Sequence, residues 1–186
     1  MLGIARALRK RIPTMSANLV TTDLPCPLWR RLTALVYDLL IVVAIMMVVG
    51  LLCQLATGGH LIQTGEHTVI PAWYQLLQAV AVAAYFTSSW RRGGQTVGMR
   101  AWRIRLTRDD GGTPTWQQAI IRLLVAAAPL ILLALAPMLG LHATLWTLLI
   151  VWAGWFATAL FDRRRRALHD LAAGTEIRLM EKESVQ

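Results

Sequence analysis

The chain has 186 residues, 56% of them apolar, and a mean hydropathy of +0.50. The apolar residues fall in long runs, which excludes an ordinary soluble domain, and the length allows one compact unit. The formal charge of +9 does not point to nucleic acid, because the basic residues lie between apolar blocks rather than along one face, the pattern of a membrane protein.

In chain order, the opening "MLGIARALRKRIPTM" is basic but lacks the apolar stretch of about 7–15 residues that a secretory signal needs. It is expected to form a short amphipathic surface helix, with Met15 as an alternative start. A basic N-terminal segment over 1–27, a membrane domain over 28–180 and a tail over 181–186 describe the organisation.

A hydrocarbon core of about 30 Å needs about 20 apolar residues per helix. Four segments qualify, near 32–52, 72–90, 118–139 and 143–161. The second is the weakest, carrying Gln75, Gln78, Thr87, Ser88 and Ser89, and is expected to turn one face to its neighbours. Pro129 and Pro137 should kink the third, and the chain should reverse at "MLGLH", where Gly140 permits a tight turn. Trp29, Trp73, Trp90, Trp116 and Trp155 lie near span ends, where interfacial aromatic belts form.

Lys and Arg alternate with the spans. Six precede the first span, six lie between the second and third, six follow the fourth, and none lies in the other two loops. Arg122, inside the third span, completes the nineteen. The alternation places both termini and the middle loop in the cytoplasm of a bacterial inner-membrane protein. The four arginines 163–166 should face anionic lipid headgroups.

Other candidate features read as structure rather than chemistry. Cys26 and Cys53 are separated by a span, roughly 40 Å at 1.5 Å per residue, too far for a bridge. His60, Glu66 and His67 in the outer loop have no spacing that fixes a metal. "RRGGQTVGM" lacks a Walker lysine and reads as a tight turn, not a phosphate cradle. "MRAWRIRLTRDDGGTP" alternates over Trp102–Leu106 before a turn, a strand signal that suggests a small hairpin, and "GTEIRL" is a second strand that can join it. No nucleophile with its base, and no cofactor motif, is evident; the chain is not expected to be an enzyme.

Two charges inside spans demand an explanation. An Asp near a helix centre costs about 2.5–3.5 kcal/mol to insert. Asp38 and Arg122 both lie a short way into spans that start from the cytoplasm, so they are expected to pair. Arg31, two turns before Asp38, is expected to snorkel to headgroups, and Asp170 to pair with cytoplasmic arginines.

Three segments resemble the RDD family of membrane proteins. "RLTALVYD" (31–38) resembles its Arg-to-Asp first helix, and "GQTVGMRAWRIRLTRDDGGTPTWQQAIIRLL" (94–124) its Gly-Gln-Thr-x-Gly segment, strand and Arg-bearing helix. "DRRRRALHDLAAGTEI" (162–177) resembles its closing His-Asp-x-x-Ala-Gly-Thr motif. The match spans about 28–178. The resemblance assigns Arg31 and Asp38 to the first Arg and Asp, and Asp170, with Asp162 as alternative, to the second Asp. Met99 stands where the family often has Lys. The fold expectation is thus an all-α integral membrane bundle of four helices with a small cytoplasmic β-containing cap. For function the resemblance suggests transport of an ion or small ligand. The alternative is an assembly module that binds lipid, a second copy or a partner membrane protein.

Overall fold

A computed structural model of the chain describes residues 21–61 and 70–180. The amphipathic-helix reading of the first residues, Met15, and the loop residues Glu66 and His67 lie outside that range. The elements in order are β1 (Thr21–Pro25), α1 (Leu28–Ala56), α2 (Ala72–Gly93), α3 (Val97–Ala101), β2 (Ile104–Arg108), α4 (Trp116–Ala127), a 3-10 segment (Ala128–Leu135), α5 (Ala136–Leu139), α6 (Leu141–Phe161), α7 (Leu168–Ala173) and β3 (Thr175–Met180).

Among the described residues, three helical stretches are long and apolar enough to cross a membrane: 28–56, 116–139 and 141–161. The third predicted span remains helical throughout but tightens to 3-10 geometry over Ala128–Leu135, with Pro129 in its first turn and Pro137 in the first turn of α5. Proline removes a donor from the α ladder, and the chain accommodates the loss by changing helix type. Outward faces are apolar: Leu40, Met47, Leu51 and Leu55 on α1 are each 60% exposed or more, a surface suited to lipid.

Helix α2 is less apolar because it spends polar groups on its neighbour. Gln78 donates to the Met46 carbonyl of α1 at 3.0 Å and to the Tyr74 hydroxyl at 2.7 Å. Thr87 returns its hydroxyl to the Ala83 carbonyl at 2.7 Å, within its own helix.

The buried core sits at one end of the bundle. There the start of α1, the end of α2, the start of α4 and the end of α6 meet a cap of α3, α7 and a three-stranded antiparallel sheet ordered β1-β3-β2. Ala34, Trp90, Met99, Ile104, Leu106, Ala119 and Ile177 pack together as its centre. β2 pairs with β3, Leu106 opposite Ile177, rather than forming a local hairpin. The Asp109–Gly112 turn leads to α4 instead. β1 had no counterpart in the sequence expectation, since "TTDLP" neither alternates nor is apolar.

Candidate functional site

The segment 94–98 closes α2 and folds back on α1. Gly94 adopts φ +69° at the α2 C-cap, and a Cβ there would meet the Leu106 carbonyl at 2.5 Å. Gln95 donates to the Ile104 carbonyl at 2.8 Å, tying the turn to β2. Thr96 caps α3 by accepting the Met99 amide at 3.2 Å. Gly98 lies so close to the Ala34 carbonyl of α1 that a Cβ would overlap it. The Gly-rich stretch is a tight turn, and its function is to bring donors to α1.

Those donors are what hold Asp38. The carboxylate, 4% exposed, accepts the Tyr85 hydroxyl at 2.8 Å, the Thr96 hydroxyl at 2.5 Å and the Gly98 amide at 2.9 Å. The Tyr85 hydroxyl also accepts the Val97 amide at 3.2 Å. Hydrogen bonds to a charged group contribute about 1.5–3 kcal/mol each, so three offset the insertion cost of about 2.5–3.5 kcal/mol. The expected Asp38–Arg122 pair is therefore corrected: neutral donors satisfy Asp38. Equal depth in two spans does not set the direction each side chain faces.

Arg122 turns instead to Asp170. Asp170 on α7, 0% exposed, makes ion pairs with Arg31 (Nη1 to Oδ2, 3.2 Å) and with Arg122. Its Oδ2 also accepts the Ala167 amide at 3.0 Å, which caps α7. Arg31 donates to the Ile177 carbonyl at 3.4 Å and Arg122 to the Thr175 hydroxyl at 3.3 Å, both on β3. The Arg122 guanidinium also lies 5.1 Å from the Trp90 ring centre, a cation–π contact. Arg31 is 5% exposed, so it does not snorkel: a buried carboxylate in the cap draws it inward. One acid thus ties two membrane helices, α1 and α4, to the cap.

The sites of both acids border the same space. A cavity of about 70 Å³ is lined by Arg31, Asp38, Thr96, Trp90 and Arg122 together with apolar side chains. Two guanidiniums against Asp170 leave one excess positive charge, and Asp38 supplies the opposite charge across the cavity. Among the described residues, the Nε atoms of Arg31 and Arg122 are buried without an acceptor. His169, beside Asp170 and stacked edge-on to Phe156 at 5.5 Å, has its pKa well below the usual imidazole value, because burial and then the charges of Arg122 and Arg31 disfavour its cation.

Not every basic residue faces outward. Arg164 pairs with Asp109 at 3.2 Å and Arg166 with Asp162 at 3.1 Å, so two of the four arginines in the run bind acids of the protein rather than lipid. Asp162, the alternative second Asp, serves this surface pair and not the buried cluster. Its pKa lies below the usual carboxylate value, chiefly through the hydrogen bond from Arg166. Cys26 and Cys53 are free. Trp90 is 5% exposed and, with Trp155, lines a groove inside the bundle; neither forms an outward belt.

The functional residues that sequence reasoning missed are Tyr85, Thr96 and Gly98. A Tyr within a polar span and a Thr two residues before a Gly were the available signals. Among known proteins, a family model described as the RDD family matches residues 25–174, from the last residue of β1 to the residue before β3. Comparison with curated proteins and with solved structures gives no match.

Proposed function

The chain belongs to the RDD family, and on that premise we propose a four-span membrane protein that moves an ion or small ligand by way of the charged cavity at the cap end of its bundle. The observation that carries the reading is the cavity itself: Asp38 on one side and Arg31 and Arg122 on the other border one small space, with neither guanidinium bound to Asp38. Ionisable groups inside a membrane face the bundle interior or a cavity and mark ion and proton paths.

In this reading α2 is also a span, the second in chain order. Its 22 residues reach roughly 33 Å at 1.5 Å per residue, enough for a core of about 30 Å. The cap and both termini lie in the cytoplasm of a bacterial inner membrane, since all Lys and Arg outside the spans fall on that side of the topology. The protein is not an enzyme in this account: the buried groups bind and compensate charge. A proton or ion flux in liposomes that Asp38→Asn removes, with the protein still folded, tests the proposal.

A further inference from the structure

The turn between α2 and α3 carries the chain back along the bundle. Helix α2 ends at Gly93, yet the Val97 amide bonds the Tyr85 hydroxyl at 3.2 Å. Tyr85 stands eight residues before that end, roughly 12 Å at 1.5 Å per residue. The Gly98 amide bonds Asp38 at 2.9 Å, and Asp38 stands ten residues beyond the start of α1, roughly 15 Å in. Helix α3 therefore lies beside α1 and α2 rather than beyond their ends. Non-helical backbone is tolerated at such a depth where it is buried in protein, and Gly94, Thr96 and Gly98 are buried.

The outward side of this unit is apolar at its tip and cationic toward the cap. Val97, at the tip, is 48% exposed. Arg100, about one turn nearer the cap, is exposed and lies near enough to the Tyr85 hydroxyl to act on it electrostatically. Arg92, also exposed, follows Tyr85 by seven residues and so shares its face of α2, two turns nearer the cap. On the other flank Trp102 packs edge-on against Trp29 at 5.4 Å and Tyr37 at 6.3 Å between ring centres, and both α1 rings are half exposed. Tryptophan and tyrosine gather at the headgroup level of a bilayer.

Residues 91–108 hold six arginines and no acid. Among the described residues, Arg91, Arg92, Arg100 and Arg103 are exposed and have no acid partner, whereas Arg108, Arg164, Arg166 and Arg178 each have one. We infer that the outer face of α3 and the end of α2 bind the headgroup of an anionic phospholipid in the leaflet on the cap side, with its phosphate at Arg92 and Arg100 and its acyl chain past Val97. A soluble acidic protein or a nucleic acid matches the arginines but not the half-exposed Val97, Trp29 and Tyr37 beside them. A zwitterionic lipid matches the apolar part and leaves the excess positive charge uncompensated. The inference rests on α2 being a span, as proposed above, and not on flux. Reporter fusions after Gly58 and Gly112 test that span separately, and lipid retention and flux are independent readouts.

The test uses the purified protein in mild detergent with equimolar phosphatidylglycerol and phosphatidylcholine of identical chains, read by native mass spectrometry. Wild-type protein should retain phosphatidylglycerol over phosphatidylcholine by about tenfold, the order expected when one or two arginines meet an anionic headgroup. Arg92→Gln/Arg100→Gln should retain the two lipids equally, with an unchanged lipid-free melting temperature because both side chains are exposed. Arg163→Gln/Arg165→Gln, which removes equal charge from the segment after α6, should keep the preference. If Arg92→Gln/Arg100→Gln fails to fold, Arg100→Gln alone decides: a reduced preference supports the inference and a preference equal to wild type overturns it. Equal retention of the two lipids by wild type, an equal loss of preference in both double variants, or an acidic polypeptide lost from Arg92→Gln/Arg100→Gln in place of a lipid would each overturn it.

Discussion

Replacing Asp170 by Asn should damage the protein more than replacing either of its arginine partners. The acid is wholly buried and holds Arg31 and Arg122 at once. At an effective dielectric of about 20, one such contact is worth on the order of 4 kcal/mol before desolvation is counted. Breaking a buried pair by removing one partner costs about 3–5 kcal/mol. Asp170→Asn leaves two guanidiniums facing each other without a counter-charge, so its loss should lie at or above the top of that range, although Asn can still accept the Ala167 amide. Arg122→Gln leaves the neutral pair Arg31–Asp170. It loses the bond to Thr175 and the stacking on Trp90, together about 1–3 kcal/mol. The double variant leaves only Arg31 unpaired and should be milder than the sum of the singles by about 1–2 kcal/mol, as for residues sharing one interaction. Thermal or denaturant unfolding in mild detergent measures all four proteins. An Arg122→Gln loss as large as that of Asp170→Asn, or losses that add, would refute the shared-acid arrangement.

Three further outcomes are expected. Gly98→Ala drives a Cβ into the Ala34 carbonyl and should cost about 1–3 kcal/mol or more as overpacking, whereas Gly93→Ala, with open space around it, should stay within about 0.5 kcal/mol; folded yield and melting temperature compare them. His169 is held neutral when folded and titrates near 6.5 when unfolded, so the unfolded state binds the extra proton. Stability should therefore be full above about pH 6.5 and fall as pH drops below it, by at most about 1.4 kcal/mol per pH unit, and His169→Gln should flatten that slope. Reporters active only outside the cytoplasm should be silent when fused after Gly112 or Gln186 and active after Gly58; activity at Gln186 would contradict four spans.

Much of the fold was legible because apolar length and basic flanks are properties of contiguous sequence. The apolar runs and prolines located the third and fourth spans, alternation marked β2, and the GTEIRL stretch read as the strand that is β3. β1 was not legible, because its backbone pairing with β3 does not require an alternating pattern. The site was legible only as a set of depths. Asp38 and Arg122 could be placed near one membrane level, with Arg31 expected at the headgroups, but the face each side chain takes depends on the Gly94–Gly98 turn, which delivers Thr96 to Asp38. With Asp38 already satisfied, Arg122 was left for Asp170, a residue 48 positions later. Trp90 misled for a similar reason: it sits at a span end yet faces the arginine within.

Asp38 and the arginine pair bound a cavity that we propose as the path of an ion or small ligand. Reconstitution into liposomes under an imposed proton, sodium or chloride gradient, followed by an ion-sensitive dye, tests it most directly. Wild-type protein should dissipate at least one of these gradients, and Asp38→Asn, matched for folded yield and melting temperature, should not. Asn keeps two acceptor bonds, from Tyr85 and Gly98, and gives up the charge together with the bond accepted from Thr96. Flux through Asp38→Asn equal to wild type, or wild-type flux no greater than that of protein-free liposomes for every gradient, would rule out the cavity as that path.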